Sequence, residues 1–253
     1  MDLVERAARE AGKILLKLKN RLERVEVKSS RADLVSEADY ESQKVVFEIL
    51  EDLKIDMVGE ENYSGDPRQF MESECFLVDP LDGTLNYVHG LPFYAVSIAR
   101  LKNGEVVEGV VYLPESDEMF HALKGQGAYL NGERLEVSGV EDLSKALVVT
   151  GWPYNEEGVE RTQEMIERVM SRVQEVRILG SCAAELCYLA AGRIDGYFEI
   201  GLGPWDLAAG YLIAEEAGAR VSSMTREGFS LELGEVVAAT PDLHGSLLEL
   251  VKG

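Results

Sequence analysis

The chain has 253 residues, a formal net charge of −21 and 46% hydrophobic content. This length buries a large core in one domain or two layered halves, while the acidity and the scattered basic residues exclude nucleic acid as the expected partner. No run reaches the roughly 20 apolar residues of a membrane span and "MDLVERAARE" has no signal-peptide core, so a cytoplasmic protein without a membrane partner is expected.

Leu3, Val4, Ala7, Ala8, Ala11, Ile14, Leu15 and Leu18 recur at helical spacing, and so do Val45, Val46, Ile49, Leu50 and Leu53. Between these helices the polar connection "VKSSRADLVSEAD" ends at a capping pattern, Ser36 with Asp39 three residues on. "IDMVGE" and "CFLVDP" are apolar runs of strand length that end in acids. "FYAVSIARLKNGEVVEGVVYL" sets Asn-Gly between two β-rich runs, and "YLNGERL" supplies a second Asn-Gly; both predict tight hairpins. After about residue 145 the pattern becomes α/β alternation: "ALVVTGW", a helix near 158–173, "VRIL", a helix near 181–192, "DGYFEI", a helix from 205, and "ARVSS". The expected division is residues 1–145, α+β with an antiparallel sheet, and 146–253, α/β, packed as one layered body. Cys75, Cys182 and Cys187 form no C-x-x-C pair and read as reduced core residues.

Asp79 follows "FLV" directly, at the end of a buried strand that Pro80 is expected to stop. Asp82, Gly83 and Thr84 then open a helix, whose free N–H groups and positive end favour a phosphate. "LDGTL" has a superficial likeness to the D-x-D-G-T-L loop of the haloacid dehalogenase phosphatases, but the position of their nucleophilic aspartate is Pro80 here. An EF-hand calcium loop fails too, because Leu81, Gly83 and Gly90 stand where acids are needed. Two carboxylates beside an anion site repel the anion unless cations lie between them, so Asp79 and Asp82 read as metal ligands. A capped helix with Asp82 as its N-cap is the plainer alternative. Glu60 and Glu61 in "VGEEN" also follow an apolar run, and on a strand only one of them faces Asp79. Asp206 heads an apolar helix behind Pro204 and Trp205, as an N-cap or as a third oxygen ligand for a hard cation such as Mg²⁺. Cys182, beside "LGS", reads as a core residue or as lining of the substrate pocket. His89, His121 and His244 have no ligand spacing.

"GEE", "DPLDGTLNYVHGLPFYAVSI" and "PWDLAAG", in this order, resemble the signatures of the inositol monophosphatase family, the lithium-sensitive, Mg²⁺-dependent sugar-phosphate phosphatases. The likeness runs from "KSSRADLVSEAD" to the C-terminus. It implies a layered α/β/α/β/α sandwich, a homodimer, two or three Mg²⁺ ions, and hydrolysis of inositol 1-phosphate or a related sugar phosphate by metal-activated water. Leu85 and Asn86 favour the inositol branch. The resemblance makes Glu60, Asp79 and the Leu81 carbonyl ligands of one metal, and Asp79, Asp82 and Asp206 ligands of a second; Glu60 also counts among the catalytic groups. Gly83 and Thr84 would give backbone N–H groups to the phosphate, Thr84 with Asp39 would orient the attacking water, and Lys28 would lie in a mobile loop near the metals. Glu199, in "GYFEIG", would bond substrate hydroxyls, with Asp82 and Asp206 beside it. Gly203 and Glu185 depart from residues frequent in relatives, which bears on substrate preference. Two alternatives stand beside this reading: a dual activity that includes fructose-1,6-bisphosphate, and a non-catalytic accessory role on transcription or ribosomal machinery.

Overall fold

The structure, a computed structural model, describes residues 2–19, 21, 25–28, 34–63 and 65–253; residues 29–33 of the polar connection lie outside the described residues. Helix α1 (Leu3–Leu18) starts in a capping box between Asp2 and Glu5 and buries the stripe Val4, Ala7, Ala8, Ala11 and Leu15. Strands β1 (Val25–Val27) and β2 (Leu34–Ser36) pair antiparallel and lead into α2 (Glu37–Leu50). A seven-stranded sheet follows, in chain order β3 (Asp56–Gly59), β4 (Glu74–Asp82), β5 (Ala95–Lys102), β6 (Glu105–Leu113), β7 (Glu118–Leu123), β8 (Ala128–Leu130) and β9 (Glu133–Arg134). Short helices α3 (Arg68–Met71) and α4 (Thr84–Val88) flank β4. The sheet is antiparallel except at β3 and β4, which run parallel. Both Asn-Gly pairs turn hairpins, with positive φ at Asn103, Gly104, Asn131 and Gly132 as a tight reversal between twisted strands demands.

The second sheet takes β10 (Leu147–Thr150), β11 (Glu175–Arg177), β12 (Gly196–Ile200), β13 (Arg220–Ser222) and β14 (Glu235–Ala239), in the order β11-β10-β12-β14-β13. Its helices are α5 (Glu156–Met170), α6 (Cys182–Ala190), α7 (Pro204–Glu216) and α8 (Pro241–Lys252). No expectation from the sequence covered β14 or α8. β14 inserts antiparallel between β12 and β13 and so interrupts the parallel pattern that the α/β alternation suggests.

Strand periodicity builds the layers. Along β4, Phe76 and Val78 face α1 and α2, while Cys75 and Leu77 face the cluster that contains α6 and α7. That second cluster continues onto Tyr197, Val236 and Ala238 of the five-stranded sheet, whose other face is closed by Met165, Val169, Leu243 and Leu247 of α5 and α8. The result is the α/β/α/β/α sandwich. All three cysteines are free and buried.

One local expectation changes. Pro80 does not stop β4: the register against β5 shifts between Asp79 and Asp82, and pairing resumes with Asp82 opposite Ala95. Pro80 thus occupies an irregularity where the ladder needs no N–H. Ser42 of α2 holds that irregularity by donating to the Pro80 carbonyl at 2.7 Å.

Candidate active site

The irregularity at the end of β4 opens one wall of a cavity of about 550 Å³, whose lining includes Lys28, Glu60, Asp79, Leu81, Asp82, Gly83, Thr84, Cys182, Glu199 and Asp206. Ten of the eleven residues singled out from the sequence therefore meet there; Asp39 is fully buried, behind Thr84.

Asp79, Asp82 and Asp206 each place a carboxylate oxygen within 4.8 Å of the others. Each also spends one oxygen on a bond that fixes its direction. Asp79 Oδ1 accepts from the Leu81 N–H at 3.0 Å, Asp82 Oδ2 from Ser181 Oγ at 2.6 Å and Ala183 N at 2.7 Å, and Asp206 Oδ2 from Gly203 N at 2.7 Å. Asp206 is thus both a helix-capping residue, at the third position of α7, and a member of the cluster. The N-cap of α4 is Gly83, not Asp82. Gly83 has φ +94°, and a Cβ there would lie 3.0 Å from the Gly180 carbonyl, so only glycine fits.

Burial and then the neighbouring acids Glu60, Asp82 and Asp206 push Asp79 well above the usual carboxylate range. Asp206 moves the same way for the same reasons, and Asp82 is pushed up to about 6 by burial against the opposing bonds from Ser181 and Ala183. Two buried acids and a half-buried third, gathered this closely, are costly unless something positive joins them. An all-oxygen set of this kind fits Mg²⁺.

Glu60 stands beside the trio, close enough to raise Asp79 and Asp206. The alternation expected for Glu60 and Glu61 does not hold, because β3 ends at Gly59 and the chain winds into a 3₁₀ turn over Glu60–Asn62. Both carboxylates reach Lys28 Nζ, at 2.7 and 2.6 Å. Lys28 is pulled upward by these two acids against the effect of burial.

Asp39 serves two partners at once. Its Oδ2 accepts from Ser36 N at 2.8 Å and Ser36 Oγ at 2.7 Å, completing the α2 cap, while its Oδ1 lies 3.1 Å from Thr84 Oγ1. Burial first, and Glu61 after it, push Asp39 up to about 6, against the bonds from Ser36 and Thr84. Thr84 Oγ1 also lies 3.0 Å from the Leu81 carbonyl; with a single proton it donates to one acceptor at a time.

The opposite wall comes from the second sheet and α6. Burial pushes Glu199 up to about 8, and the Tyr197 hydroxyl donates to its Oε2. A Cβ on Gly151 would overlap the Glu199 carboxylate, so glycine leaves that acid its place. Burial holds the Cys182 thiol neutral. Glu185 does not line the cavity; its Oε1 accepts from the N–H groups of Leu179 and Gly180 at 2.9 and 3.0 Å. Sequence reasoning missed Ser181, Gly151 and the bridging role of Asn86, whose amide donates to the carbonyls of Phe93 and Leu179 at 2.8 and 2.7 Å. Ser181 had a local signal, a serine directly ahead of an apolar helix, whereas Gly151 had none.

The model of the inositol monophosphatase family matches residues 2–253. The chain is 35% identical to a putative Nus factor SuhB of Neisseria meningitidis, over 97% of this chain and 95% of that one. It is 36% identical to a fructose-1,6-bisphosphatase/inositol-1-monophosphatase of Thermotoga maritima, over 99% and 95%. Among solved structures, the IMPase of Thermotoga maritima superposes with a TM-score of 0.88 at 32% identity, over 98% of this chain and 94% of that one.

Proposed function

The chain belongs to the inositol monophosphatase family, and from that premise we propose that it hydrolyses inositol 1-phosphate or a related sugar phosphate with water as the nucleophile and Mg²⁺ as cofactor. The observation that carries this reading is the convergence of the Asp79, Asp82 and Asp206 carboxylates within 4.8 Å on one cavity.

In this reading Asp79, Asp82 and Asp206 hold one Mg²⁺, and Glu60, Asp79 and the Leu81 carbonyl hold another. Bound Mg²⁺ lowers the pKa of water and stabilises the charge that builds on the phosphate and leaving oxygen. The protein's own groups do the rest. Thr84, donating to ionised Asp39, keeps its oxygen lone pairs turned to an incoming water and so fixes that water's direction. The N–H groups of Gly83 and Thr84 receive phosphate oxygens, and the open face of Gly83 lets them approach. Glu199, with Asp82 and Asp206, bonds substrate hydroxyls, and Cys182 contributes a neutral surface. Lys28 holds Glu60 in reach of the site. Residues 1–145 thus carry most of the ion-binding groups, and 146–253 bring Asp206 and the substrate wall.

We infer a cytoplasmic homodimer whose partner is a small phosphate ester. The test is phosphate release with Mg²⁺ from inositol 1-phosphate, fructose-1,6-bisphosphate and 3′-phosphoadenosine-5′-phosphate. Release from the first alone supports the inositol branch, and release from the first two supports a dual activity. A second reading has one observation in its favour, the similarity to a protein named as a putative Nus factor. No release from any ester, together with a stoichiometric partner in a pull-down, would favour that accessory role.

A further inference from the structure

Away from the cavity, where the start of α1 meets β6 and β7, Asp2, Glu108 and His121 each bring one ligand atom within 4.8 Å of the others. None of the three was marked by sequence spacing as a ligand, because they come from three separate elements. Glu108 is 3% exposed and turns Oε2 to Arg100 Nε at 3.3 Å. Its other oxygen, Oε1, is buried without a hydrogen-bond partner, as is Nε2 of His121, and these two atoms stand 3.9 Å apart. The carboxylate of Asp2 meets that of Glu108, and Glu5 lies 3.5 Å from His121 Nδ1. Three carboxylates therefore gather around the His121 imidazole.

A buried carboxylate oxygen and a ring nitrogen with no partner, facing each other across 3.9 Å, are too far apart for a hydrogen bond. The gap admits an ion between them: a tetrahedral site with bonds of about 2.0–2.2 Å sets its ligand atoms about 3.4 Å apart, so binding draws the two together by about half an ångström. Asp2, exposed at the start of α1, already brings a carboxylate oxygen within 4.8 Å of both and supplies the third ligand. His121 and Glu5 also line an open cleft, which gives an ion a route in from solvent. We propose that Asp2, Glu108 and His121 form a binding site for a divalent transition cation of the zinc type, distinct from the catalytic trio. The mixed nitrogen and oxygen donors suit zinc, whereas Mg²⁺ takes oxygen alone. The ion clamps the first turn of α1 onto β6 and β7.

The test counts zinc per chain by mass spectrometry after gel filtration, in full-length protein carrying Asp79→Asn and Asp206→Asn so that the catalytic acids do not compete. The expected result is one zinc per chain, lost when His121→Ala is added and weakened at least about ten-fold in a zinc titration when Asp2→Asn is added. Asp2 is exposed, so its variant decides the matter if His121→Ala does not fold. In the otherwise native chain, His121→Ala should leave Mg²⁺-dependent turnover unchanged. A zinc-free background protein, or zinc retained at unchanged affinity in the His121 or Asp2 variant, overturns the site.

Discussion

The two walls of the cavity carry acids of different character. On the β4 side, Asp79 and Asp82 join Asp206 from α7 in a set that repels itself, each acid anchored through one oxygen with the cluster facing inward. On the β12 side, Glu199 is bonded by Tyr197 and pushed up to about 8, so it stays largely protonated at neutral pH. The lesson is that acids lining one cavity take two characters according to their neighbours. A self-repelling cluster calls for cations; a single neutral acid is suited to hydrogen bonds with hydroxyls.

The harshest way to break this contrast is to remove one charge from the cluster. Asp79→Asn should abolish Mg²⁺-dependent turnover, a loss beyond the roughly 100-fold upper range for groups that merely support ligands. In metal-free protein the same substitution should raise Tm near pH 7.5. The sign follows from the folded-state pKa values, which lie above those of the unfolded chain for Asp79, Asp82, Asp206 and Glu199. Their stabilisation is complete below about pH 4 and is lost as pH rises through about 6 for Asp82 and about 8 for Glu199. Without Mg²⁺, Tm should therefore fall from pH 4 to pH 8, and Mg²⁺ should restore much of it. A metal-free Tm that rises over that range would contradict the burial argument.

Next in size is the effect expected at Thr84 and Asp39, the pair proposed to orient the water. Thr84→Ala should slow single turnover by about 10²- to 10⁴-fold with little change in Mg²⁺ dependence. Asp39→Asn should do the same, and the double variant should be about as slow as the worse single one. Rate losses that add in full, or that extra Mg²⁺ repairs, would remove these residues from the water.

On the opposite wall the effects should be milder and fall on binding. Gly151→Ala puts a methyl group where the Glu199 carboxylate sits, so KM for a polyol phosphate should rise by more than kcat falls. Equal loss in kcat with KM unchanged would tie Glu199 to the chemical step.

The same two walls differ in how far the sequence exposes them. Asp79, Leu81, Asp82, Gly83 and Thr84 are contiguous, and an apolar run followed by acids, glycine and a helix start is a local pattern that chemistry can read. Glu199, Gly151, Ser181 and Asn86 meet only because two sheets and α6 pack together, and their contacts cross up to 99 residues of chain, as in the Ser181–Asp82 bond. β14 stayed hidden because "EVVAA" is short and lacks alternation, although it forms the antiparallel seam of its sheet. Pro80 misled because its usual meaning as a strand stop yields wherever the ladder already skips a bond.

The smallest effect separates the two duties of Asp39. Ser36→Ala removes the hydroxyl that bonds Asp39 Oδ2 at 2.7 Å and accepts from Ala38 N at 3.2 Å, yet leaves the Thr84 contact to Oδ1 in place. Loss of the cap should cost about 1 kcal/mol of stability in a urea melt. Turnover near pH 8.5 should stay near normal, because Asp39 is still ionised there and still accepts from Thr84. The Ser36 bonds hold Asp39 down against its burial, so without the hydroxyl its pKa rises and the acidic limb of kcat moves to higher pH. Stability loss with that shift and normal turnover near pH 8.5 would show one carboxylate dividing its oxygens between cap and catalysis. A rate loss as large as that of Thr84→Ala would mean instead that the cap itself places the catalytic oxygen.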